Sequence, residues 1–123
     1  TSSSLRDLAF VLLHQQNLDA ARSEFEQAVE IDPRDASARN DLASALAQQG
    51  NFEEAIRQLE VALTIDPNYI RAHVNLARAL VARGQASDAA AHYRRALELD
   101  PNNALARQEL DKLLSGNAGP PAP

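Results

Sequence analysis

Arg71, Asn75 and Arg78 follow one another at steps of four and three residues, which places all three on one face of a helix. Arginine forks hold carboxylates, and an asparagine amide both donates to and accepts from a peptide backbone. Such a face is suited to non-covalent capture of a segment carrying an acidic group. Phe10, Leu13, Val74 and Val81 would supply apolar pockets for one or two anchoring side chains. No comparable grouping supports reaction chemistry. His14, His73 and His92 are expected to lie apart, with His73 at a packing position and His92 on a second helix beside arginines. The sequence has no glycine-rich phosphate loop, serine nucleophile motif or paired-histidine metal spacing. Glu53, Glu54, Asp32 and Asp35 fit helix-start charge and turn chemistry. No enzymatic activity, metal or cofactor is expected.

The elements that carry these residues are set by a repeat. Ile31-Asp32-Pro33, Ile65-Asp66-Pro67 and Leu99-Asp100-Pro101 recur every 34 residues. A period of that length marks a stacked helical array. The repeats run over 2–35, 36–69 and 70–103, and the second and third share twelve identical residues. The shared positions step by three and four, as on a helix. Each repeat reads as two helices. In the second, Gly50 closes the first helix, Asn51 caps the next with Glu54 completing a capping box, and Pro67 ends it. Gly84 and Pro101 do the same in the third. Repeat one has Gln16 where the others have glycine, at a cost of roughly 1 kcal/mol if that residue is left-handed. Residues 104–116 read as a further amphipathic helix stopped by Gly116, and 117–123 as a linker rich in proline and glycine.

Composition agrees with closely packed helices. Hydrophobic residues make up 45% of the 123, much of it alanine, and aromatics only 4%. A net charge of −5 argues against a nucleic-acid partner. Cysteine is absent, and no apolar run reaches the roughly 20 residues that a bilayer span needs. No signal peptide is visible, and a cytoplasmic or periplasmic setting suits the residues equally. The chain opens Thr-Ser-Ser-Ser, which fits a segment excised from a longer multidomain protein.

These residues resemble the tetratricopeptide repeat. Repeat one supplies Leu5, Leu8, Ala9, Leu12, Ala21, Phe25, Ala28 and Pro33. Repeat two supplies Arg39, Leu42, Ala43, Leu46, Ala55, Leu59, Ala62 and Pro67, and repeat three His73, Leu76, Ala77, Leu80, Ala89, Tyr93, Ala96 and Pro101. All nine small positions are alanine, where nearby helices leave no room for more. Leu5, Arg39 and His73 stand where the family usually has tryptophan, which trims the buried area. The resemblance implies an all-α fold: a right-handed superhelix of three helix-turn-helix hairpins, closed by a solvating cap helix.

The resemblance also implies a concave groove lined by successive first helices, holding an extended peptide or a partner's helix. Ser3, Arg6, Asp7, Phe10, Leu13 and His14 would enter it from repeat one. Ser37, Asn40, Asp41, Ser44, Ala47 and Gln48 would enter from repeat two, and Arg71, Val74, Asn75, Arg78 and Val81 from repeat three. Some family members grip acidic chaperone tails through a five-residue carboxylate clamp. Carried over, Arg6 and Arg71 could replace its lysines, but Phe10 and Asp41 stand at its asparagines and Asn75 at its arginine. Asp41 would repel a chain terminus, so that clamp is not expected.

Leu5, Leu8, Ala9, Phe10, Val11, Leu12 and Leu13 make the first helix apolar nearly all round, which calls for a cover. An upstream repeat is the first expectation, a second copy of the chain the next and a ligand the third. The function expected is a protein–protein interaction module. The alternatives are an oligomerisation unit acting through its end faces, or a docking appendage of an enzyme beyond this chain.

Overall fold

The computed structural model describes the backbone of residues 2–116, and the side chains of residue 15 and of 17–116. Six helices run in order: α1 (Ser2–Ile31), α2 (Ala36–Gln48), α3 (Phe52–Ile65), α4 (Ile70–Ala82), α5 (Ala86–Leu99) and α6 (Ala104–Leu114). Each packs antiparallel on the next, and α2 also meets α4. No strand occurs among the described residues.

Local chemistry explains the turns. Gly50 and Gly84 take φ of 83° and 78°, the left-handed conformation that glycine reaches without a Cβ clash. Around them the amides of Asn51 and Gln85 reach back to the carbonyls of Leu46 and Leu80, at 2.9 and 2.8 Å, closing a Schellman-type stop. Asn51 then caps α3 by accepting from the Glu54 amide. The connections between repeats are built alike. Asp32, Asp66 and Asp100 each accept from the amide two residues on, at 3.2, 3.1 and 3.3 Å. Asp35 and Asn103 cap the helices that follow.

The first repeat differs from expectation. Its backbone does not turn at Gln16; α1 continues for 30 residues as one helix. Glutamine is a good helix former and a poor left-handed residue, so continuing the helix avoids the roughly 1 kcal/mol that a turn there would cost. Two hairpins, α2–α3 and α4–α5, are therefore formed as hairpins, flanked by a long helix and a cap. The linker expected at 117–123 lies outside the described residues.

The core is the alanine seam. Ala55, Ala62, Ala77, Ala89 and Ala96 are fully buried, interleaved with Leu42, Leu46, Leu59, Leu76, Leu80 and Tyr93, and the cap adds Ala106 and Leu110. Small side chains let the helix backbones approach, and the leucines fill the volume between them.

Arg39 and His73, at the position expected merely to lose a tryptophan, form polar ties. Arg39 Nε donates to the Pro33 carbonyl at 3.0 Å, and Arg39 Nη1 donates to Gln58 at 2.9 Å. His73 Nε2 meets the Pro67 carbonyl at 2.8 Å, and its Nδ1 meets His92 at 3.1 Å. Arg107 repeats the proline contact in the cap, to Pro101 at 3.3 Å. The proline contacts hold each residue's helix to the turn before it, and the Gln58 and His92 contacts tie the two helices of a hairpin together.

Candidate peptide-binding groove

Three neighbouring concavities lie along the side of the molecule formed by α1, α2, α4 and α6. The central one, about 330 Å³, lies between α2 and α4. Ala43, Ala47, Phe52, Leu59 and Ala79 give it an apolar lining, and Ser44, Gln48, Asn75 and Arg78 supply polar groups. The second, about 200 Å³, lies between α4 and the start of α6, where Arg71, Val74, Asn75 and Arg78 meet Asn103 and Leu105. The third, about 240 Å³, lies between α1 and α2 and includes Leu18, Phe25, Asp41, Ser44 and Gln48. Ser44 and Gln48 border two concavities, as do Asn75 and Arg78.

The helical register explains this convergence. Asp41, Ser44 and Gln48 step by three and four along α2; Arg71, Val74, Asn75 and Arg78 do so along α4. Arg71 is held in place by Tyr69: its Nη2 donates to the tyrosine hydroxyl at 2.9 Å, and its guanidinium carbon lies 5.5 Å from the ring centroid. Arg71 and Arg78 are exposed, and among the described residues neither forms an ion pair with a carboxylate. The arginines that do so are Arg22, Arg57, Arg83 and Arg95.

Other expected groove residues fall elsewhere. Asn40 is buried, only 3% exposed, and accepts a hydrogen bond from Asn75 Nδ2 at 2.9 Å, tying α2 to α4 behind the lining. Val81 packs half-buried against the core, and Ser37 is exposed but borders none of the three concavities. The side chains of Ser3, Arg6, Asp7, Phe10, Leu13 and His14 lie outside the described residues. Sequence reasoning missed Phe52, Leu59, Asn103 and Leu105. The repeat itself held a signal for the first of these, since Leu18 stands 34 residues before Phe52 and borders the neighbouring concavity.

The three histidines were expected apart, but His73 and His92 are in contact across α4 and α5. The partner of this pair is the Pro67 carbonyl, and no group of three or more metal-ligating side chains occurs among the described residues. Burial, and then the nearby His73, push the His92 imidazole below its usual range, opposed by Asp88 and Glu60.

Two family models match the sequence, both described as tetratricopeptide repeat, one over residues 6–70 and the other over 46–113. The chain belongs to the tetratricopeptide repeat family. The first such domain of Spaghetti (RPAP3), solved with the HSP90 peptide SRMEEVD, is 26% identical over 94% of this chain and 92% of that one, with a TM-score of 0.81. The first tetratricopeptide repeat domain of human RPAP3 is also 26% identical, over 93% of this chain and 90% of that one, with a TM-score of 0.80. An O-GlcNAc transferase from Thermobaculum terrenum is 27% identical over 91% of this chain but only 22% of its own, with a TM-score of 0.76. No curated protein matches the sequence. Tetratricopeptide repeats are protein-interaction modules, and this chain carries the fold of one.

Proposed function

We propose that residues 2–116 form a peptide-binding module whose groove takes an extended partner segment with an acidic group and one or two apolar anchors. The observation that carries this reading is the pairing of Arg71 and Arg78, free of carboxylate partners among the described residues, with an apolar cleft floored by Ala43, Leu59 and Ala79. The two cations supply charge-assisted hydrogen bonds, Asn75 engages ligand backbone, and the cleft receives a side chain. Asp41 disfavours acidic groups near α1, which orients the ligand's charge toward α6. The module binds and does not catalyse. The related Spaghetti domain, solved with an acidic peptide, supports an acidic ligand. The substitutions at the family's clamp positions argue that the charge is gripped by the arginine pair instead.

The test is a fluorescence-anisotropy titration with the peptide SRMEEVD, its C-terminally amidated form, and a form with both glutamates changed to glutamine. Amidation is expected to matter little, and loss of the glutamates to weaken binding at least about tenfold. Arg71→Ala with Arg78→Ala is expected to weaken binding by a similar factor. Equal affinity of that double variant and the native chain would reject the reading.

A further inference from the structure

The three second-helix surfaces of the repeats are equivalent in sequence and unequal in the structure. Ala55, Leu59 and Ala62 are at most 1% exposed under α2, and Ala89, Tyr93 and Ala96 likewise under α4. Their counterparts Ala21, Phe25 and Ala28, on the C-terminal half of α1, are only half-buried. Beside them opens the concavity of about 240 Å³ between α1 and α2. One of three matching seats lacks its helix.

The sequence contains the helix that fits. Leu8, Ala9 and Leu12 match, residue for residue, Leu42, Ala43 and Leu46, and Leu76, Ala77 and Leu80. Those two sets lie in the core, against Leu59 and Tyr93 and their neighbouring alanines. In this chain the matching segment cannot reach its own seat, because α1 runs unbroken from Ser2 to Ile31. Residue 9 is then roughly 18 Å along the helix axis from residue 21, at about 1.5 Å per residue, and no residue packs on the side of its own straight helix.

We propose that residues 2–15 of one copy fill the seat on Ala21, Phe25 and Ala28 of a second copy, and the reverse, in a two-fold exchanged dimer. The hinge is the missing turn at Gln16. Exchange across a segment that can be either turn or helix is a low-cost route to a dimer, since the contacts formed are those that the closed hairpin would make. It completes the groove as well, because the segment bearing Arg6, Phe10 and Leu13 of one copy then borders Asp41 and Ser44 of the other. This inference stands apart from the peptide reading, which concerns α2, α4 and α6.

The chain has no cysteine, so introduced thiols report cleanly. Two chains, one with Ala9→Cys and one with Ala21→Cys, are refolded together and oxidised. The expected product is a disulfide between the two chains, and light scattering of the native chain is expected to give twice the 13.3 kDa chain mass. Gln16→Gly, which favours the turn over the helix in both copies, is expected to raise the dimer dissociation constant about tenfold. A disulfide formed only within a chain carrying both substitutions overturns the proposal. So does a native chain that stays monomeric at high concentration, or a dimer that yields no cross-link between positions 9 and 21.

Discussion

His73 and His92 meet Nδ1 to Nδ1 at 3.1 Å across the α4–α5 hairpin. The other nitrogen of His73 faces the Pro67 carbonyl at 2.8 Å. A carbonyl only accepts, so His73 carries its hydrogen on Nε2 and presents a bare Nδ1, to which His92 Nδ1–H donates. The arrangement is the third repeat's version of the Arg39–Gln58 contact in the second. It differs in that His92 titrates.

Because burial and the facing His73 lower the His92 pKa, the unfolded chain takes up that proton before the folded one. Stability from this site is complete above the ordinary histidine value of about 6.5 and falls as pH drops below it, levelling off once pH is under the depressed folded value. Thermal melts between about pH 8 and about pH 5 should show the decline. His92→Gln, which copies Gln58, should flatten it, and an unchanged profile in that variant would show that another group causes the decline.

Tyr93 is 1% exposed, and its hydroxyl has no hydrogen-bond partner among the described residues. Burial, reinforced by Glu109 and opposed by Arg78, pushes its pKa up to about 12. An unpaired buried hydroxyl costs about 1–3 kcal/mol of desolvation. Tyr93→Phe is therefore expected to leave the unfolding free energy from denaturant titration unchanged or raise it, by up to about 1 kcal/mol. Tyr93→Ala should lose about 3–5 kcal/mol through the cavity it opens. A phenylalanine variant less stable by more than 1 kcal/mol, by the usual worth of about 1 kcal/mol per hydrogen bond, would reveal a partner for the hydroxyl.

The alanine seam gives a sharper packing test. Ala62 is fully buried where α3 packs among its neighbours, while Ala91 on α5 faces solvent. Ala62→Leu is expected to cost about 1–3 kcal/mol by overpacking, and Ala91→Leu less than about 0.5. Chemical denaturation of the two variants compares them directly.

Much of this architecture is legible in the chain. Gly50, Gly84 and Asn51 each have one strong local reason for their role, and each takes it. The continuity of α1 is not legible, because Gln16 sets a turn against a helix with only about 1 kcal/mol between them. The His73–His92 contact is hidden for another reason. The two are nineteen residues apart, and the family pattern assigns His73 a bulky packing role. The relation appears only when each repeat is read as pairing its fourth residue with its twenty-third, as Arg39 with Gln58 also shows. On the proposed groove, register alone puts Ser44, Gln48, Arg71 and Arg78 on the helix faces that border the concavities. It cannot tell that Asn40 turns inward, since that depends on Asn75 across the helix pair.

That asparagine pair yields a fourth prediction. Asn75→Ala leaves the buried Asn40 oxygen without its donor at 2.9 Å, and should cost about 1–3 kcal/mol. Adding Asn40→Ala removes the orphaned group and should recover part of the loss. A double-mutant cycle in urea measures the coupling, and strict additivity would show that the bond is not formed in solution.

Arg78 and Asn75 each form part of the wall between adjoining hollows. A common partition couples its two sides: altering the guanidinium to suit a guest in one hollow reshapes the lodging next door. If the proposed peptide reading holds, selectivity along this face would belong to a stretch of several ligand residues taken in phase with the helices, and a binder filling one hollow alone would forgo part of what that partition offers.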